Sequence, residues 1–209
     1  MADARPLDVM VFDATCTARR PSVGLSDAWW AGGRLYDALG RIEHHHGARS
    51  WGDALAWLAE VEPSRPLGRI QYWGHGRWGR ALLGGEGLGI EALAPQHPHH
   101  RALARIRERL DPEAGALWFR TCELFGARAG QDFARRWADF FARPVAGHTY
   151  IIGFWQSGLH RLAPGEIPTW SPDEGLLRGD ADDPKEARWS RPWLPNTISC
   201  LRGSIPAGW

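Results

Sequence analysis

The sequence predicts an α/β protein, a three-layer sandwich whose mostly parallel sheet carries helices on both faces. Three observations predict it. Through the first three quarters of the 209-residue chain, short apolar runs alternate with helix-length amphipathic stretches, the pattern of βαβ units. Hydrophobic residues make up 44% of the chain and charged residues 23%, so a sizeable core can form and a disordered chain is excluded. After Gly153 the periodicity gives way to prolines and tryptophans. That predicts an irregular but ordered Trp/Pro-rich extension over 154–209, packed on the same α/β domain (1–153).

The elements follow in order. Residues 7–13 (LDVMVFD) form an apolar run after Pro6 and read as a buried strand ending in an acid. A Pro/Ser/Gly loop leads to a helix capped by Ser26, running to about Leu39 and stopped by Gly40. Residues 41–46 read as a short strand. Ser50 with Asp53 is a capping-box-like start for a helix carrying Leu55, Leu58 and Val61, ended by Pro63 and Pro66. The β-rich run from Leu67 is terminated by glycines at 74 and 76, and residues 77–89 turn like a hairpin. Residues 101–110 place Leu103, Ile106 and Leu110 on one helical face. Residues 116–121 are a second buried strand with Cys122 at its end. Residues 126–142 are an amphipathic helix with Phe133, Trp137, Phe140 and Phe141 inward, and 144–152 a further strand with His148 as a core histidine. The extension holds one or two hairpins, with Asp180–Pro184 as an exposed loop.

Composition excludes several functions. The formal charge of +1 gives no field to attract nucleic acid or anionic lipid. No run approaches the roughly 18 apolar residues of a membrane helix. Met1–Pro6 carries an acid and a proline where a secretory leader would be apolar, so the expected location is cytoplasmic. Cys16, Cys122 and Cys200 are far apart and lack CxxC spacing, which predicts free thiols rather than disulfides or a zinc site. His44–His46 and the 97–100 cluster invite a metal, but adjacent histidines point different ways and no carboxylate spacing completes a site, so solvent-facing loops are expected and no cofactor. Gly84-Gly85-Glu86-Gly87 lacks the helix and Lys-Ser/Thr of a phosphate loop, and Gly-x-Ser-x-Gly does not occur. Of the 13 tryptophans, most are expected in the core and some along a groove.

Functional groups of such a sheet collect at the carboxyl ends of its strands. Asp13, His75 and Cys122 fall there. A thiol becomes a nucleophile when a base removes its proton and N–H donors stabilise the resulting oxyanion. His75 is the candidate base and Cys122 the candidate nucleophile. The Gly76 and Cys122 amides are the candidate oxyanion donors, glycine allowing close approach to a substrate carbonyl.

A strand ending in His-Gly, then a second strand ending in Cys, resembles the caspase-like cysteine peptidases (clan CD). That clan includes metacaspases, gingipains, legumain, separase and the bacterial CHAT domains. The two residues lie 47 positions apart here, against about 50 in caspases. The resemblance extends over segment order from Leu7 to Val145, and the hairpin after His-Gly and the helix after the cysteine fit bacterial members. It implies a cysteine endopeptidase acting on a protein or peptide substrate without a cofactor, with an activating partner or proteolytic trigger. The chain departs from the caspase pattern around the nucleophile, with Arg120-Thr121-Cys122-Glu123-Leu124 in place of Gln-Ala-Cys and a following glycine. The residue two before the cysteine often faces the first substrate pocket in this fold, so Arg120 would favour an acidic substrate residue. Asp13 would favour a basic one, or the two pair with each other. Trp155 and Gln156 follow the last strand, where this fold often builds substrate pockets. The alternative is a catalytically silent module of the same fold that binds a partner protein.

Overall fold

A computed structural model describes residues 5–18 and 22–206. The segment read against a secretory leader, the loop before the first helix and the end of the extension therefore lie partly outside the described residues.

In chain order the elements are β1 (Leu7–Asp13), α1 (Leu25–Ala38), β2 (His44–Ala48), α2 (Trp51–Glu60), β3 (Leu67–Trp73), β4 (His75–Arg77), β5 (Arg80–Leu83) and β6 (Glu86–Leu88). A short 3-10 turn (Ile90–Leu93) leads to α3 (His100–Arg109), β7 (Ala116–Arg120), α4 (Ala127–Phe141) and β8 (Val145–His148). Then come β9 (Trp155–Gln156), β10 (Leu159–Leu162), β11 (Leu176–Gly179), β12 (Pro184–Ala187) and β13 (Ile198–Ser199). The main sheet runs β2-β1-β3-β7-β8-β10, parallel throughout except for β10, which pairs antiparallel with β8 at one edge. The protein is thus a mixed α/β fold on a six-stranded, mostly parallel sheet.

Side chains alternate across that sheet, as strand geometry requires. Val9, Val11, Ile70, Tyr72, Leu117, Phe119 and Val145 face one way, into the larger core under α2, α3 and α4. Met10, Phe12 and Trp73 face the other way, beneath Tyr36 of α1. Trp118, Ala146 and Leu159 share that second face but lie beyond α1. Ile198 and Ile205 of the C-terminal segment cover them instead. One half of this face is therefore roofed by a helix and the other by an irregular strap.

Local chemistry explains most boundaries. Ser50 caps α2 by accepting from Asp53 N at 3.1 Å, while the Asp53 carboxylate accepts from Arg49 N. Gly40 ends the α1 turn at φ +62°, a left-handed conformation that glycine adopts without strain. Ser26 is not the α1 cap. The helix begins two residues earlier, at Leu25 behind Gly24, whose N–H donates to Asp27, and the Ser26 hydroxyl donates to the Asp13 carbonyl at 2.8 Å. The second strand starts later than expected, at His44. The 77–89 hairpin is a three-stranded sheet that begins at His75 itself. The last parallel strand is shorter than expected and stops at His148. The expected loop over Asp180–Pro184 is the turn Asp180–Asp183 between β11 and β12, with Pro184 already in β12, and it is closed by Asp182 N and Asp183 N donating to the Asp180 carboxylate at 2.9 Å. Among the described residues no helix is long and apolar enough to cross a membrane.

Candidate functional site

Trp73 and Arg120, the last residues of β3 and β7, are register partners. His75 and Cys122 each follow two residues later, so the sheet delivers both to the same end of adjacent strands. The two segments touch there. A Cβ on Gly76 would lie 2.5 Å from Thr121 Oγ1 and 2.8 Å from the Cys122 carbonyl oxygen, so only glycine fits this approach. Trp78 N donates to Glu123 O at 3.2 Å and Gly79 N to Leu124 O at 2.8 Å, stitching the β4–β5 hairpin to the chain after Cys122. Trp78 (φ +27°) and Glu123 (φ +38°), joined by the first of these bonds, are both non-glycine residues in the left-handed region. Such strain persists only where the surroundings over-determine it, and it concentrates at functional sites.

The His75 ring packs edge-on against Trp29 of α1, with centroids 5.6 Å apart and planes at 78°. The Cys122 thiol points to the Ile152 carbonyl at 3.9 Å. Among the described hydrogen bonds none joins Cys122 to His75. Burial pushes the Cys122 thiol up to about 11, and the neighbouring Glu123 charge adds to the rise. The cysteine in this arrangement is a protonated thiol. Glu123 is itself raised by burial, with Arg77 opposing.

Arg120 and Asp13 do not pair, because they lie on opposite faces of the sheet. Asp13 shares the face of Val11 and Tyr72. Its buried carboxylate accepts from Thr15 N (2.8 Å), Thr15 Oγ1 (2.6 Å), Cys16 Sγ (3.5 Å) and Gly84 N (3.4 Å), fixing the turn after β1. Arg120 shares the face of Trp118 and is only 3% exposed. All five of its N–H donors are taken. Nε and Nη2 donate to Gln156 Oε1 (3.1 and 2.8 Å), Nη2 also to Cys200 O (2.9 Å), and Nη1 to Tyr36 Oη (2.6 Å) and Arg202 O (3.2 Å). The guanidinium lies over the rings of Trp118 (4.5 Å), Trp73 (4.6 Å) and Tyr36 (5.5 Å). It is a buried cation held by neutral acceptors and aromatic faces.

Gln156 is thus joined to Arg120 rather than facing solvent, whereas Trp155 is 40% exposed and packs edge-on against exposed Phe154. Their strand β9 pairs with β13, and Cys200 N donates to Phe154 O at 2.7 Å. The loop that offers Ile152 O to the thiol is therefore clamped by the C-terminal strap.

Sequence reasoning missed Trp29 and Tyr36, and it placed the C-terminal extension on the domain without its contacts to Arg120. Trp29 stood on a recognised helix, and its aromatic neighbour Trp30 was the only local signal. The strap contacts Arg120 through backbone carbonyls, which leave no mark in a sequence.

Three histidines of the two clusters have carboxylate partners. His44 pairs with Glu62, His46 with Asp53 at 3.1 Å, and His99 with Glu86 at 2.8 Å. Among the described residues no three His, Cys, Asp or Glu side chains converge as a metal site requires. No protein-family model, curated protein or solved structure matches this chain.

Proposed function

We propose that the protein is a cysteine endopeptidase of the caspase-like type, with His75 and Cys122 as its dyad. The observation that carries the proposal is the delivery of both residues to one end of adjacent parallel strands, their segments fused at Gly76–Thr121 by a contact that excludes any side chain. The paired backbone strain at Trp78 and Glu123 supports it.

His75 takes the thiol proton, and the Cys122 thiolate adds to a peptide carbonyl carbon. The oxyanion so formed is held by the Gly76 and Cys122 amides. Collapse expels the amine, which leaves with the proton carried by His75. Water then hydrolyses the thioester, restoring the thiol and releasing the acid. In the described arrangement Sγ is turned to the Ile152 carbonyl, so this mechanism requires it to turn toward His75.

The test is hydrolysis of a peptide library by the full chain, with Cys122→Ala and His75→Ala alongside. Each substitution should abolish cleavage while leaving the thermal melt nearly unchanged. Cleavage that survives either one refutes the dyad.

A second reading, a catalytically silent protein-interaction module of the same fold, draws on the thiol's high pKa and the exposed Phe154–Trp155 pair. A partner captured equally by wild type and Cys122→Ser, without library cleavage, would favour it.

A further inference from the structure

The strap is gripped by arginines at consecutive residues. Arg120 donates to the carbonyls of Cys200 and Arg202, Arg41 to that of Leu201, and Arg69 to that of Gly203. With Arg202 itself, four guanidiniums surround one short segment. The only carboxylate in ion-pair contact with them, among the described residues, is Asp8, which binds Arg69. Burial is what lowers the Arg120 pKa most, and the Arg41 cation adds a smaller push in the same direction.

This imbalance opens to solvent. Arg41, Arg69 and Arg202 line a groove of about 490 Å³, with Gly40 on the domain side and Ser199, Leu201, Gly203 and Ser204 on the strap side. Arg69 Nε is buried behind the groove without an acceptor among the described residues. Arg41 and Arg202 have no carboxylate partner among the described residues.

We infer that this groove binds a compact, multiply charged oxyanion of the diphosphate class, bridging the domain to the strap. Guanidinium forks match phosphate oxygens two at a time, so Arg41 and Arg202, facing one groove without a carboxylate partner among the described residues, suit a ligand of several charges, while Arg69 is held by Asp8 and the Gly203 carbonyl. The chain's near-zero net charge argues for a small anion over a nucleic-acid backbone, which needs an extended basic surface. The site is separate from the dyad and does not depend on peptidase activity.

Inorganic pyrophosphate is the probe, titrated calorimetrically into the full chain in about 0.15 M NaCl, where bare surface charge is screened. One saturable site per chain is expected. Arg41→Gln and Arg202→Gln should each weaken it by about tenfold, and Arg178→Gln on the β11–β12 hairpin should not. Both groove variants remove solvent-facing charge without touching the Arg69–Asp8 pair, and a melt without ligand checks their folding. As a second readout, trypsin cleavage after Arg202 should slow when pyrophosphate is present. The inference is overturned by an absence of saturable binding up to about 1 mM. Undiminished binding in the Arg41→Gln/Arg202→Gln double variant, or equal protection by sodium chloride of matched ionic strength, would also overturn it.

Discussion

The Arg120 guanidinium lies 4.6 Å over the ring of Trp73, its register partner on the neighbouring strand. This contact ties the ends of β3 and β7 together immediately before His75 and Cys122. The candidate dyad thus stands on a clamped pair of strand ends rather than on two independent loops. Beneath it the cation is roofed by the strap, so the strap, the two strand ends and the Cys122 segment form one mechanical unit.

Replacing Gly76 by alanine tests that junction. The new methyl would meet Thr121 and the Cys122 carbonyl, and backbone cannot yield as a flexible side chain does. A loss of about 2 kcal/mol is expected from such overpacking, measured by urea unfolding, together with loss of hydrolysis. An alanine variant of unchanged stability would show that the hairpin and the Cys122 segment are not in firm contact.

Arg120→Met would orphan Gln156 and the strap carbonyls, while Arg120→Lys would keep the charge with too few donors for five bonds. Both should destabilise the protein by about 3 kcal/mol, since the partners stay buried. A methionine variant as stable as wild type would mean that the strap needs no guanidinium.

His148 lies fully buried beneath the strap, its Nδ1 donating to Ser157 O at 3.1 Å. Burial lowers its pKa from 6.5 to about 3, and the Arg120 charge works in the same direction. Between those values the unfolded chain binds a proton that the folded one refuses, so stability falls as pH drops from 6.5 toward 3. His148→Gln keeps a donor but cannot titrate. Its urea midpoint should change less than that of wild type across this window, and equal slopes would refute the assignment.

Glu174 fastens the extension to the sheet, accepting from Thr149 Oγ1 at 2.8 Å and pairing with His160 Nε2 at 2.9 Å. Burial pushes its carboxyl up, yet His160 and Thr149 together hold it below the ordinary 4.5. Its stabilisation is therefore present above 4.5 and lost as pH falls through the lowered folded value. Glu174→Gln should be less stable than wild type at neutral pH, with the gap closing below 4.5 in the same urea series. A gap independent of pH would assign the loss to packing alone.

How much was legible follows from which signals side chains carry. The first strand is read to its ends because Pro6 and Asp13 bracket a run that is apolar but for Asp8, and α2 because Ser50 announces its cap. The histidines of β2 blur the ends of a strand, expected at 41–46 and found at His44–Ala48, whose partners rather than its own hydrophobicity define it. Leu159–Leu162 was lost in the extension because an edge strand of two leucines around His160 and Arg161 has no periodicity to detect. The neighbourhood of His75 and Cys122 could be located from strand ends. The separation of Asp13 from Arg120 could not, since which face each occupies depends on register between strands far apart in sequence.

The strap also has a kinetic meaning. Tyr36 meets the carbonyl of Cys200 across 164 residues and Arg69 meets that of Gly203 across 134, among the longest loop closures the chain makes. Contacts of such separation form late, after their entropy has been met by the rest of the fold. A nascent chain that has emerged only through β8 carries Trp118, Ala146 and an unsatisfied guanidinium on an open sheet face. Until residues near 205 leave the ribosome, that face is a surface for chaperones or for misassembly.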